Sequence, residues 1–186
     1  ARAFERLGIV MPVGNEQEYI QRSVRVCAEA SERLEGASFI LNHEIVLVDD
    51  ASTDATPELA DALAAEDPHV VVVHHPVNRK LGGSIKTGLG AATGALVLST
   101  DADLPFDMLE LDRALRILNT YEADVVSAFR HDRTGEGPRR ALYSWVYNRL
   151  LQLMFGTGML DIHFALNAGR RSVLGAVPAR RGGGPR

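Results

Sequence analysis

VVVVHHPVNRKLGGSIKTGLGAATGALVLSTDADLP, residues 70–105, decides the fold. It opens on an apolar, β-branched run and passes into a small-residue segment with helical spacing at 82–93. It closes on a second apolar run at 95–100. A strand, a helix and a second strand in succession argue for strands that run parallel in one sheet. Working outward, the pattern repeats. LGIVMPV (7–13) reads as a strand, 16–34 as a helix, and EIVLVDD (44–50) as a second strand rich in β-branched residues. TPELADALAAE (56–66) opens on Thr56, Pro57 and Glu58, a sound helix start. Downstream, 107–121 has apolar residues at helical spacing with an acidic first turn, and ADVVSAF (123–129) reads as a fifth strand. Strands apolar along their whole length need cover on both faces. The expected class is α/β, a mostly parallel, Rossmann-like sheet between helices.

The chain has 186 residues, 46% apolar and 24% charged, as expected of one globular domain with a real core. Cys27 is the one cysteine, so no internal disulfide framework exists, and its helical setting points to a buried, inert thiol. No apolar run is long enough to span a bilayer, and no secretory signal is visible. Residues 1–138 carry 12 basic and 23 acidic side chains, a net of −11. Residues 139–186 carry 8 arginines against Asp161, a net of +7. That asymmetry points the C-terminal part toward an anionic partner, a phosphate-bearing substrate or a membrane, unless it is only an arginine-rich tail. The expected division is one domain over 1–175 and a flexible Arg/Gly/Pro-rich tail over 176–186.

Open parallel sheets bind ligands beyond the carboxyl ends of their strands, and the unusual polar residues gather there. Pro12, Asn15 and Glu16 follow the first strand, Asp49 and Asp50 end the second, and Asn78, Arg79 and Lys80 follow the third. Asp101 and Asp103 follow the fourth, and Arg130 the fifth. Two carboxylates two residues apart at a strand end can share a divalent cation; hard oxygen donors suit Mg2+ or Mn2+, which also takes phosphate oxygens. The plainer reading is a helix cap with a turn aspartate. DDASTD is equally good turn chemistry, with Thr53 or Asp54 placed to cap the next helix, although an acid there can also hold a ribose hydroxyl. Arg79, Lys80 and the helix start that follows favour anions, although the spacing is not that of a Walker loop. Gly88 and Gly90 are open to a plain packing role. The six histidines form no metal-binding set.

IVMPVGNEQEYI, EIVLVDDASTD, NRKLGGSIKTGLGAATG, VLSTDADLP and VVSAFR stand in the order and spacing of family 2 glycosyltransferases with the GT-A fold. The chain most resembles the dolichol-phosphate mannosyltransferase and polyprenyl-phosphate glycosyltransferase branch, over roughly residues 7–175. That resemblance implies a metal-dependent, inverting transfer of a sugar from a UDP- or GDP-linked donor to a polyprenyl-phosphate or related acceptor. It assigns nucleotide contacts to Pro12, Glu16, Val48, Asp50, Asp101 and Ala102, the principal metal ligand to Asp103 beside Asp101, and phosphate contact to Arg130. Lys80 is expected to add positive charge there. Asp161 matches an aspartate proposed as catalytic base or acceptor-site acid. Two departures stand out. Gly14 occupies an aromatic position of the family. After Asp161 the run is His163-Phe164-Ala165-Leu166-Asn167, with Asn167 at the usual basic position.

RRALYSWVYNRLLQLMF (139–155) carries a narrow polar stripe of Ser144, Asn148 and Gln152 within a wide apolar face. Arginines at its start and interfacial aromatics suit a helix lying in a membrane surface, and a core or subunit-covered helix is the alternative. The expected setting is cytoplasmic, at the periphery of a membrane. A homo-oligomer is left open, and nothing points to nucleic acid. Two rival readings are a non-catalytic nucleotide-sugar-binding relative and a phospho-receiver domain, whose acidic strand end also reads VLVDD.

Overall fold

The computed structural model describes residues 3–104, 111–127 and 167–174. In chain order these form β1 (Leu7–Val13), α1 (Ile20–Gly36), β2 (His43–Asp49), α2 (Thr56–Glu66), β3 (Val70–His74) and α3 (Lys80–Ala91). β4 (Leu96–Ser99), α4 (Leu111–Thr120), β5 (Val125–Ser127), β6 (Asn167–Arg170) and a helical turn, α5 (Arg171–Leu174), complete the set. The sheet order is β3-β2-β1-β4-β6-β5. β1, β2, β3 and β4 run parallel, as the strand–helix–strand pattern requires. β6 runs antiparallel to both β4 and β5, between which it lies.

Strand periodicity divides the core in two. Ile9, Met11, Ile45, Leu47, Leu96 and Leu98 face Val24, Cys27 and Leu34 of α1, Ala60 of α2 and Leu115 of α4. The alternate residues Val10, Val46, Val48 and Val97 face the opposite way, against Leu89 and Ala91 of α3. Burial pushes the Cys27 thiol up to about 12, so it packs as an inert apolar group.

The amino ends of the strands are closed by structural hydrogen bonds. The buried Glu44 carboxylate accepts the backbone N–H groups of Thr93 (2.6 Å) and Gly94 (2.7 Å) and the Thr93 hydroxyl (2.9 Å). Beside it, buried His43 pairs with Glu35 (2.7 Å) and stacks on His69 with ring centres 4.3 Å apart. Acid and imidazole are thus used at that end to hold the fold. A cleft lined by Phe4, Leu41, Glu122 and Arg170 also lies there and includes none of the candidate site residues. Among the described residues no helix is long and apolar enough to cross a membrane. The 139–155 helix expected at a membrane surface lies outside the described residues.

Candidate active site

The carboxyl ends of β1 to β4 open on one side of the sheet, and the loops that leave them are held in unusual backbone. Asn15, Ala51, Lys80 and Leu104 follow β1, β2, β3 and β4 in turn, and all have positive φ (58°, 59°, 65° and 47°). Left-handed non-glycine backbone is costly and persists where surrounding contacts over-determine it.

The contacts between the first two loops are visible. Asn15 Oδ1 accepts the Thr53 N–H (2.8 Å) and Asn15 N–H donates to Ser52 Oγ (3.0 Å). Glu16 N–H donates to Thr56 Oγ1 (2.8 Å) and Gln17 N–H to Asp54 Oδ2 (3.3 Å). Asp54 Oδ1 also accepts the Thr56 N–H at the start of α2. Ser52 and Thr53 of DDASTD therefore bond Asn15, and Asp54 bonds Gln17, on either side of Glu16, whose own N–H is taken by Thr56.

Asp49 and Asp50 end β2 directly beside the end of β3, whose register pairs Asp49 with His74. Each acid takes one histidine. His74 Nδ1 donates to Asp49 Oδ2 (2.9 Å) and its Nε2 faces Asp61 Oδ1 (3.0 Å). Hydrogen bonds from Asp49 and Asp61 raise the His74 pKa above its ordinary 6.5, over the opposing effect of burial. His75 Nδ1 donates to Asp50 Oδ1 (2.8 Å), and His75 Nε2 pairs with Thr87 Oγ1 (2.9 Å). Asp50 Oδ1 also accepts the Arg79 N–H (2.7 Å), and Asn78 Nδ2 donates to the Asp50 carbonyl (3.3 Å). Burial pushes the Asp50 carboxyl up, but the Arg79 amide, the His75 bond and charge and the Lys80 amide outweigh it. The group lies below its ordinary range.

On the other side of β1, Thr100 N–H donates to Val10 O (3.0 Å), and Pro12 has no N–H to give the next rung. The chain leaves the sheet there, in the turn closed by Leu104 N–H on the Asp101 carbonyl (3.1 Å). Ala102 is buried, its carbonyl accepting the Ser23 hydroxyl of α1, while Asp101 and Asp103 are exposed on either side of it. Although Asp101 is exposed as a residue, partial desolvation of its carboxyl by the surrounding protein, and then the neighbouring Asp103, raise its pKa. Burial, then Asp103, Asp101 and Asp54, raise that of Glu16. Carboxylates gathered at one rim are what a divalent cation draws together, and hard, exposed oxygens fit Mg2+ or Mn2+. Among the described residues no group of three or more His, Cys, Asp or Glu is disposed to hold a metal unaided. The donor set therefore fits an ion shared with a ligand's phosphates and water, not a closed protein cage.

The rim thus joins Glu16 with Asp101 and Asp103 by charge, and Asp50 with Lys80 through the 78–80 turn. Pro12 is half-buried, and Lys80 is exposed at the head of α3. Val48 is completely buried against α3, so its side chain packs. Arg130 and Asp161 lie outside the described residues. Sequence reasoning missed His74, His75, Thr87 and Ser23. A signal existed for the histidines: HH at the end of one parallel strand stands level with DD at the end of its neighbour.

Residues 8–177 match the model of glycosyl transferase family 2. Among curated proteins, the chain is 30% identical to glycosyltransferase AglD of Haloferax volcanii over 92% of its length, which is 27% of that protein. It is 34% identical to the undecaprenyl-phosphate 4-deoxy-4-formamido-L-arabinose transferase of Sodalis glossinidius, over 93% of this chain and 51% of that one. The chain thus spans about half or less of these relatives. Among solved structures, mannosyltransferase PcManGT of Pyrobaculum calidifontis, in complex with GDP-Man and Mn2+, superposes with a TM-score of 0.66 at 25% identity, covering 93% of this chain and 46% of that one. Glucosyl-3-phosphoglycerate synthase of Mycobacterium tuberculosis shares the fold, with a TM-score of 0.66 at 23% identity, over 91% and 58% of the two chains. The family match overturns the receiver-domain reading: VLVDD ends a strand in both folds, and the later D-A-D turn belongs to this one. The chain belongs to glycosyl transferase family 2 and has the GT-A fold.

Proposed function

We propose that this domain is an inverting, metal-dependent hexosyltransferase, moving a sugar from a UDP- or GDP-linked donor to a polyprenyl-phosphate or related acceptor. One observation carries the reading: Glu16, Asp101 and Asp103 stand together in the loops that leave the carboxyl ends of β1 and β4, where an open parallel sheet receives its ligand. The Pyrobaculum protein's GDP-Man and Mn2+ support the donor and metal classes, and the Sodalis relative's name supports the acceptor class.

In this reading Asp103 and Asp101 would hold Mg2+ or Mn2+, which supplies positive charge for a leaving diphosphate. Asp50 holds the ribose, its carboxylate already ionised at neutral pH. Pro12, Glu16, Val48 and Ala102 border the nucleotide. Val48 contributes the packed floor beneath it, since its side chain is buried. Lys80 and Arg130 add charge where the phosphates become more negative. Asp161 orients the acceptor or takes a proton from its attacking oxygen. A phosphate acceptor is already largely ionised, which favours the orienting role. A lipid-linked acceptor brings the domain to the cytoplasmic surface of a membrane, with the 139–155 segment as the contact.

The test is titration calorimetry with UDP and GDP, each with and without Mn2+, on the chain and on Asp103→Ala. Metal-dependent binding of one nucleotide, weakened about tenfold or more in the variant, is expected. Transfer of labelled sugar to polyprenyl phosphate would then be measured. Absence of binding for both nucleotides defeats the reading. Asn167, standing at the family's usual basic position after Asp161, motivates a second reading, a nucleotide-sugar-binding relative without turnover. Nucleotide binding with no transfer would favour it.

A further inference from the structure

We infer that His75 is a positioning residue of the donor site, setting Asp50 and, through Asp50, the 78–80 turn that presents Lys80. The inference rests on the donor-site reading above for its ligand, but its geometry is independent of it.

His75 is buried at the end of β3, and both ring nitrogens are engaged. A carboxylate only accepts, so Nδ1 carries the proton that bonds Asp50 Oδ1. In the neutral ring Nε2 is then an acceptor, and the Thr87 hydroxyl supplies the matching donor. The Asp50 carboxylate thus sets the tautomer, and Thr87, whose hydroxyl can donate to Nε2, holds the ring plane from the other side. Asp50 is fixed from two directions, by the ring and by the Arg79 amide. Both bonds fall on Oδ1, and a carboxylate offers about four lone-pair sites, so capacity is left for a ligand hydroxyl.

The same carboxylate organises the loop. Arg79 N–H donates to it, Asn78 donates to the Asp50 carbonyl, and Lys80 N–H donates to Asn78 Oδ1 (3.1 Å). Lys80 stands in left-handed backbone, which this chain of bonds holds. Thr87 lies on α3, so His75 ties the body of that helix to the carboxylate in front of its first turn. A histidine serving only to fill space would not need both nitrogens matched to partners on two different elements.

Two polar variants of similar size separate the roles. In His75→Asn the amide nitrogen stands near the Nδ1 position and keeps the Asp50 bond while losing Thr87. In His75→Gln the longer side chain reaches toward Thr87 and loses Asp50. Calorimetry with UDP and GDP plus Mn2+ on the full chain should give His75→Asn within about threefold of the unsubstituted protein, and His75→Gln weaker by about tenfold or more. Amide hydrogen exchange without nucleotide should be faster at residues 78–80 in His75→Gln only. Equal affinities and equal exchange in the two variants would overturn the proposal. If the unsubstituted chain bound neither nucleotide, the donor reading would fall, and the exchange comparison would still decide whether His75 positions the turn. Should His75→Gln not fold, His75→Ala, which likewise loses the Asp50 bond, takes its place. Faster exchange at 78–80 supports the proposal, and unchanged exchange overturns it.

Discussion

Gly88 of α3 lies directly over Val10 of β1, with no room for a methyl group between them. A Cβ on Gly88 would collide with Val10 Cγ1 and come within 3.2 Å of Val48 Cγ2. The approach brings α3 onto the strands that end at Val13 and Asp49. Gly→Ala inside a helix ordinarily stabilises by about 1 kcal/mol. Here overpacking reverses the sign, and Gly88→Ala is expected to destabilise by about 1–3 kcal/mol. Gly90, two residues on, has nothing within 4 Å of its Cβ position. Gly90→Ala should therefore stabilise by roughly 0.5–1 kcal/mol. Urea unfolding of the two variants checks both signs, and a stabilised Gly88→Ala would refute the close approach.

Lys80 has φ 65° at the head of α3, a conformation that glycine adopts without strain. Lys80→Gly should raise stability by about 1 kcal/mol. The same change removes a cation from the rim and should weaken nucleotide binding by about three- to tenfold. Thermal unfolding and calorimetry on one variant would show opposite effects. A gain in stability with unchanged affinity would remove Lys80 from the donor site.

His74 bridges Asp49 and Asp61, and its pKa in the folded chain lies above 6.5. The folded protein therefore binds a proton the unfolded chain has released. This stabilisation is fully present below pH 6.5 and fades as pH rises through the raised folded value. Both partners of the outer pair are well exposed, with side chains 38% and 68% accessible, so solvent screens it. Asp61→Asn should cost about 0.2–1 kcal/mol below pH 6 and less above pH 8. Stability measured across that range in both proteins gives the comparison; parallel curves would assign the shift to Asp49 alone.

Gly14 leaves open space at the mouth of the first loop, and its backbone is not left-handed, so a side chain is tolerated there. Stacking a base on an aromatic ring is worth about 1–3 kcal/mol. Gly14→Tyr is expected to tighten UDP or GDP binding about tenfold. An unchanged dissociation constant would mean that the base does not lie over this position.

The parallel βαβ frame, its apolar strands and the acidic strand ends were legible in residue order. Periodicity and β-branching are local properties, and buried parallel strands carry them in full. The D-A-D turn was legible for the same reason, standing directly after an apolar run. β6 was not: NAGR has no apolar periodicity, and its place follows from the free edges of β4 and β5. Burial of Val48 beneath Gly88 and the coupling of Glu16 to Asp101 and Asp103 also required the packed chain. The pairing of Asp50 with His75, 25 residues apart, is the clearest case. Sequence alone determined that acids stand at the end of β2 and histidines at the end of β3. Only the parallel register, by setting the two strand ends level, decided which acid meets which ring, because a hydrogen bond depends on distance in space and not along the chain.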